Sequence, residues 1–554
     1  MKITGKTERY GRLEIELALG TAYVDILRPD GGTDTLLPFW KKGVDFVYDE
    51  HGYEWAKPNG KDKLCVRYTP DFVGEMEVKA VKEGKIEENR WIMIAESTEP
   101  GYVGVDPRDP RYFAYTDGTA FFMMGMNAAY PTSYGASNGT EFGLSGETLY
   151  LGLRQYAKWF RRCAENGVNT IRLWVGSDYF TPDTEQIGLF REEQFSKLDA
   201  IFDLARTCNI KLKLTLEQFR TFRYDEIGPG VHKAFIKRLY DGDLRCESAR
   251  EWVSDSRWKE GWIKKVDQFA RRYSGDTTLF AIELWNEMNA VVNSDLLFPW
   301  NREMLPRVKK LFPKNMVINS LGSLDCDTVA RQYMGFPWEE SDCVQVHRYL
   351  DQGAPHTVCR TSPVEAMRDA FERMGRKWPK PLLVAETGAV NDCHSGPFRY
   401  YSADNRGMLF VDCVYPPVFL GGAGCGNIWH LDDRYVEGKN LYPLFMPLAK
   451  LTEGVDFAAE KFQTVDLSDE RVWLLLLVGK TCTLGFVRNR ADSWQTVLRD
   501  DREVPKVDEK SFALPGVTVG EILPIWAEDT TECMVKDGWV RLRNIRYGAL
   551  LRLY

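Results

Sequence analysis

Histidine is scarce, with 6 in 554 residues, and no two of the 12 cysteines form a C-x-x-C; the nearest pair, Cys413 and Cys425, is twelve positions apart. Zinc-ribbon and thioredoxin-type chemistry lose their signature with such spacing. The cysteines read instead as small buried apolar groups in a reducing compartment. Positive charge is not in excess either: 72 Lys and Arg stand against 80 Asp and Glu, a net charge of -8. No global positive field is therefore available to condense on a nucleic acid. No run approaches the ~18 apolar residues of a membrane span. The start MKITGKTERYGRLEIELALG lacks an apolar core and small-residue cleavage site, so the expectation is a cytoplasmic protein, unless a signal has been removed. What is present is a chain 44% hydrophobic and 13% aromatic, too long and too apolar for disorder, with a prior of about two to four domains.

Residues 1–105 read as all-β. Alternating runs such as Leu13-Glu14-Ile15-Glu16-Leu17 and Met76-Glu77-Val78-Lys79-Ala80-Val81 are separated by turn signals such as Asp30-Gly31-Gly32, the pattern of a small sandwich. The cluster Asp106-Pro107-Arg108-Asp109-Pro110 reads as a linker. In residues 106–453, strand candidates at 121–127, 168–174, 210–216, 278–285, 316–320, 343–347, 381–386 and 425–431 alternate with helical patterns. Phe195, Leu198, Phe202 and Ala205 share one helical face, and Trp258, Trp262, Val266, Phe269 and Tyr273 another,. Eight such units predict an α/β chain built on a (β/α)8 TIM barrel, with the long stretches after strands three and six placed to roof a site. Residues 454–554 return to β patterning at 472–478, 483–487 and 539–554, predicting a second sandwich,.

In such a barrel reactive groups sit at the carboxyl ends of the strands. The fourth strand ends Glu283-Leu284-Trp285-Asn286-Glu287 and the seventh ends Ala385-Glu386-Thr387-Gly388. Taken singly, a strand-end glutamate is more often a cap or an ion-pair partner. Two converging carboxylates can hydrolyse an acetal: one, protonated, donates to the leaving oxygen while the other attacks the anomeric carbon. At a separation of about 5 Å no water fits between them and configuration is retained.

Asn-Glu ending strand four and Glu ending strand seven resemble the clan A glycoside hydrolases. The fuller Glu283-x-x-Asn286-Glu287 resembles family 5, the cellulase and mannanase family, over about residues 112–450. The resemblance implies Glu287 as general acid/base, Glu386 as nucleophile and Asn286 as the holder of the substrate 2-hydroxyl. It implies that Arg172, ending strand two, lies beside Glu386, where a fixed guanidinium favours the ionised carboxylate. Arg172 is equally suited to pairing with Glu283, which shares strand parity with Glu287 and should point inward but deeper, in a structural role. His347-Arg348-Tyr349 resembles the family His-x-Tyr, whose tyrosine contacts the nucleophile, and Trp429, ending strand eight, resembles the sugar-stacking tryptophan. Two positions depart from the family pattern. Leu216-Glu217-Gln218-Phe219 stands where a histidine is common, and Met288 follows Glu287 where proline is common. These leave Glu217 and Gln218 as candidate sugar contacts, with Asn391 and His394 beyond the nucleophile as further lining. The accessory sandwich ahead of the entry strand is expected to pack against the barrel or shape subsites.

Three rival readings are weaker. Gly479-Lys480-Thr481 lacks a phosphate loop's leading glycine, since Leu474 stands there,. The first barrel strand ends Gly125-Met126-Asn127 and not in His-x-His, against a metal-dependent hydrolase. A non-catalytic sugar-binding relative would be favoured by loss of either glutamate, and both are present. The reading is a retaining β-glycosidase of oligosaccharides or glycosides, using no cofactor or metal, with an endo-acting β-glucanase or β-mannanase as the alternative. Sugar identity and oligomeric state are not encoded legibly. Exo or endo action would turn on loops 135–147 and 232–246.

Overall fold

The computed structural model describes residues 1–129, 131, 151–177, 179–218, 239–375, 377–392, 394 and 396–554. The N-terminal region contains two four-stranded antiparallel sheets. One is ordered Lys2–Gly5, Leu13–Leu17, Lys63–Tyr68, Phe39–Lys41, the other Lys85–Ile94, Gly74–Lys82, Tyr23–Leu27, Thr33–Leu36. Leu13, Ile15 and Leu17 alternate inward with Glu14 and Glu16 outward, and they meet Val24, Ile26, Met76 and Val78 in one core. A period of two buries one face of each sheet against the other. The cluster expected to be a linker is an ordered turn instead. Asp106 and Asp109 accept from the guanidinium groups of Arg108 and Arg111 at 2.7 Å. Asp106 is fully buried, and the turn joins the first two strands of a three-stranded sheet of Val103–Val105, Phe113–Tyr115 and Ala120–Phe121.

The central region is organised by parallel strands: β1 (Gly125–Asn127), β2 (Thr170–Trp174), β3 (Lys211–Gln218), β4 (Leu279–Asn286), β5 (Met316–Ile318), β6 (Val344–Asp351) and β7 (Leu382–Val390). β1 to β5 pair in sequence order, as do β6 and β7. The two groups meet where Asp342 N donates to Val317 O at 3.0 Å. Every residue of β2, β3, β4, β6 and β7 is buried, as parallel sheets covered on both faces require. Helices α1 (Gly152–Glu165), α2 (Glu192–Thr207), α3 (Ser256–Tyr273), α4 (Ser294–Leu311) and α5 (Pro363–Met374) lie between them. In α3 the Asp255 cap accepts from Arg257 N, and Trp258, Trp262, Val266, Phe269 and Tyr273 form its buried face,.

The eighth expected strand is not a regular one. The segment around Gly424 to Trp429 makes only the isolated parallel bridges Met123↔Gly424 and Thr387↔Ile428, yet Asn427 N donates to Val384 O and Cys425 N to Met123 O, each at 3.0 Å. Its glycines are the physical reason. Glycine lowers strand propensity, and here it admits close backbone approach: a Cβ on Gly424 would stand 2.5 Å from Met123 O, and one on Gly426 2.4 Å from Cys413 O.

The C-terminal region pairs a five-stranded antiparallel sheet (Gln463–Asp466, Val472–Val478, Thr483–Asn489, Gly548–Leu553, Gly520–Pro524) with a three-stranded one (Val507–Ala513, Trp539–Ile545, Glu532–Lys536) around a shared core. The stretch expected as one final strand is thus two, in different sheets. No helix among the described residues is long and apolar enough to cross a membrane.

Candidate active site

The upper ends of β2, β4, β6 and β7 place their polar residues in one cluster. Arg172, fully buried, is its hub. Its Nε and Nη2 donate to the two oxygens of Glu283 at 2.7 and 2.8 Å, Nη1 donates to Glu386 Oε1 at 2.6 Å and to Asn127 Oδ1 at 3.1 Å, and Nη2 also reaches Asn286 Oδ1 at 2.7 Å. Burial opposes the guanidinium charge, but Glu283 and Glu386 hold its pKa above the ordinary value. The second oxygen of Glu386 accepts from Tyr349 Oη at 2.8 Å. Burial, reinforced by Glu386 and Glu287, pushes the Tyr349 phenol well above its ordinary value, so it remains a donor.

Glu287 stands opposite, with its Oε1 2.8 Å from His347 Nδ1. The same ring nitrogen is 3.5 Å from Glu386 Oε2. One oxygen of Glu287, the His347 nitrogen and one oxygen of Glu386 all lie within 4.8 Å of one another. Glu287 adopts the left-handed conformation, φ 53° and ψ 44°, a region that side chains other than glycine rarely occupy and that clusters at functional sites. That turn lets adjacent residues serve one site: Asn286 faces Arg172 while Glu287 faces His347.

Glu283 lies beneath, fully buried, and accepts also from Ser320 Oγ at 2.5 Å and Thr215 Oγ1 at 3.1 Å. Burial alone would raise its carboxyl, yet Arg172 and Lys213 hold it well below the usual carboxylate range. Trp429 is partly exposed. Its ring sits 4.8 Å from that of buried Trp174, at the end of β2, and its backbone N–H donates to Thr387 O, next to Glu386.

The structure thus brings Glu287, Glu386, Arg172, Asn286, His347 and Tyr349 into one contact network, with Trp429 at its edge. It does not bring Glu217. That carboxylate is buried against the helix layer, accepting from Lys265 Nζ at 2.6 Å and Trp262 Nε1 at 3.1 Å. The reason is a break in strand alternation. Thr215 faces inward to Glu283, but two residues on Glu217 faces outward, as does its register partner Trp285, packed on Trp252 and Trp300. Gln218 donates to Gly176 O at 3.2 Å. His394, half exposed, holds Asp351 at 2.5 Å; with Asp325 these form a second group whose polar atoms lie within 4.8 Å of one another. Asn391 O accepts from His394 N.

Lys213, Ser320, Asn127 and Trp174 escaped the sequence reading. For Lys213 a signal existed: in Lys211-Leu212-Lys213-Leu214-Thr215 polar and apolar residues alternate within a wholly buried strand, which marks a polar strand interior.

The cluster of carboxylates, arginine, His and Tyr on parallel strand ends has a counterpart among known proteins. The family model described as cellulase (glycosyl hydrolase family 5) matches residues 136–405. The chain carries a glycosyl hydrolase family 5 domain. It is accordingly an enzyme of clan A, a retaining glycoside hydrolase, and its substrate is a carbohydrate. Mannan endo-1,4-beta-mannosidase 1 of Arabidopsis thaliana is 25% identical over 366 residues, covering 56% of this chain and 85% of that protein. Among solved structures, a candidate glycoside hydrolase from Bacteroides vulgatus ATCC 8482 matches 99% of this chain and 100% of its own at 15% identity, with a TM-score of 0.56. A family 5 mannosidase from Rhizomucor miehei matches 60% of this chain and 86% of its own at 18% identity, with a TM-score of 0.39.

Proposed function

We propose that the chain is a retaining β-glycosidase of short β-mannosides, in which Glu386 is the nucleophile and Glu287 the general acid/base. We further assign the central strands to a (β/α)8 barrel spanning residues 106–453, flanked by sandwiches at 1–105 and 454–554. The observation that carries the mechanism is the pair of carboxylate oxygens within 4.8 Å, the short separation of retaining enzymes and too little for an intervening water. Their surroundings divide the roles. Glu386 accepts from Arg172 and Tyr349, donors that favour the ionised attacking form. Glu287 meets only the His347 ring among described side chains, through a hydrogen bond that either partner can donate.

In the first step Glu386 attacks the anomeric carbon, the glycosidic bond breaks, and the Glu287 proton passes to the leaving oxygen. In the second, ionised Glu287 takes a proton from water, whose oxygen displaces Glu386 from the glycosyl ester. Because Asn286 Oδ1 is committed to Arg172, its amide N–H groups are left to a sugar hydroxyl; the nitrogen is buried with no partner among the described residues. Trp429 offers a ring face to the sugar's C–H face.

The name of the Arabidopsis relative supports mannose as the glycone and also an endo-acting β-mannanase as the second reading. Of the loops that decide between these, 135–147 lies outside the described residues, as does 232–238 of the other. The test is an aryl glycoside panel of β-mannoside, β-glucoside, β-galactoside, β-xyloside, β-galactofuranoside and α-arabinofuranoside. Glu287→Ala and Glu386→Ala are assayed alongside, the latter with azide. Cleavage of the β-mannoside is expected, falling roughly 10²–10⁴-fold in Glu287→Ala. Glu386→Ala should be inactive alone and give the inverted glycosyl azide when azide is supplied. Undiminished turnover by Glu386→Ala would sink the assignment.

A further inference from the structure

Below the carboxylate pair lies a lysine that the mechanism does not use. Lys213, at mid-strand in β3, is fully buried. Its ammonium is 3.4 Å from Glu283 Oε2 and donates to the side-chain oxygen of Gln345 on β6. The other charged or titratable groups facing it are Arg172 on β2 and Cys343, just ahead of β6. Burial pushes the Cys343 thiol up to about 12, so it stays neutral. Burial pushes Lys213 down to about 8, against the pull of Glu283, so it is charged through neutral pH.

The charges in this interior close only when Lys213 is counted. Arg172 and Lys213 are the cations, and Glu283 and Glu386 the anions. Tyr349 is neutral. Glu287 and His347 count as neutral together, whichever of the two carries the shared proton. The sum is zero in the free enzyme. It is again zero in the glycosyl-enzyme, because Glu386 becomes a neutral ester as Glu287 gives up its proton. Without Lys213 the buried cluster would carry one uncompensated negative charge in both states, and ionising either catalytic carboxylate would cost more. Glu283 would then have Arg172 as its one cationic partner among the described residues, and Arg172 would have to serve two buried carboxylates.

We propose that Lys213 is a positioning residue of the reaction: by neutralising Glu283 it leaves the Arg172 charge to Glu386 and sets the pH range over which the Glu287 and Glu386 pair is correctly protonated. This rests on the catalytic roles proposed above. It predicts a displacement of the pH–rate profile that loss of packing would not produce.

The experiment is the pH dependence of kcat/KM with 4-nitrophenyl β-mannoside, or with mannotetraose where aryl glycosides are not turned over, for wild type, Lys213→Met, Glu283→Gln and the double variant. Lys213→Met should move both limbs of the bell to higher pH by about 0.5–1 unit, and Glu283→Gln should move them to lower pH by a similar amount. The double variant, with both charges removed, should return to the wild-type range. A Lys213→Met profile that superimposes on wild type with only a lowered Tm, or a double variant displaced like either parent, overturns the proposal. Where Lys213→Met is insoluble, Glu283→Gln and the double variant decide alone: the first must shift downward and the second must return. Glu386→Ala, run in parallel, separates the two levels. Activity surviving there defeats the catalytic assignment, whereas an inactive Glu386→Ala beside an unshifted Lys213→Met defeats only the role of Lys213.

Discussion

At the scale of single residues the site rests on one guanidinium shared among four side chains, Glu283, Glu386, Asn127 and Asn286, and one phenol that finishes what the guanidinium leaves. Tyr349 Oη supplies the second donor to Glu386, at 2.8 Å. A hydrogen bond to a charged group contributes about 1.5–3 kcal/mol, so Tyr349→Phe should lower kcat/KM roughly 10- to 100-fold, with Tm nearly unchanged because no volume is lost. A variant with wild-type kcat/KM would remove Tyr349 from the site. The positions legible in the sequence were those at strand ends, where a polar residue interrupts an apolar run: Arg172, Asn286, Glu287, His347, Tyr349 and Glu386. Glu217 has the same signature and sits on the opposite side of its strand. Alternation predicts facing only while the strand keeps its period, and β3 loses it between Thr215 and Glu217. Lys213 is the opposite situation: its period is kept and it faces inward, but a lysine in mid-strand has no strand-end position to single it out.

At the scale of elements, the seven regular strands follow from apolar runs of adequate length, while the eighth segment shows where composition outweighs pattern. Cys425 to Leu431 reads as a strand, but four glycines stand in residues 421–426, and the segment holds position through single hydrogen bonds and close packing. Gly424 is pressed on the backbone just ahead of β1, with Met123 O 2.5 Å from where its Cβ would be. Gly424→Ala must therefore displace the Met123 backbone that leads into β1, and the strain should cost about 1–3 kcal/mol. It should also shift Trp429, five residues on. The expected outcome is a Tm lower by several degrees together with a raised KM for the aryl β-mannoside; unchanged thermal stability would show that the segment has slack. The left-handed Glu287 is a second element-scale feature that no propensity announces, since only the demand for two neighbouring residues at one site accounts for it.

At the scale of the molecule, both flanking regions are fastened to the centre by buried ion clusters. In one, Arg67 of the N-terminal sheet donates to both oxygens of Asp199 on α2, at 2.7 and 2.6 Å, and to Glu14. In the other, Arg488 joins Asp412 and Asp492, and Arg406 binds Asp492. Burial would raise Asp199, but Arg67 holds it well below the usual carboxylate range. A depressed carboxyl contributes stability that is fully present above the unfolded value near pH 4 and is lost as pH falls through the folded value. Wild type should accordingly lose Tm steeply below about pH 4. Arg67→Met takes the ion-pair partner from the buried Asp199 carboxylate and leaves it only the Tyr273 hydroxyl among the side-chain donors described, so it should be destabilised by about 3–5 kcal/mol at neutral pH, with a shallower acid dependence. Parallel curves for the two proteins would mean that the pair does not fasten the N-terminal region.

The most direct test of the central claim is peptide mapping by mass spectrometry after incubation with 2,4-dinitrophenyl 2-deoxy-2-fluoro-β-mannoside, whose fluorine slows breakdown of the glycosyl ester. The account predicts one covalent fluoromannosyl adduct, on the peptide containing Glu386, absent in Glu386→Ala. An adduct on another carboxylate, with Glu386 unmodified, would contradict it.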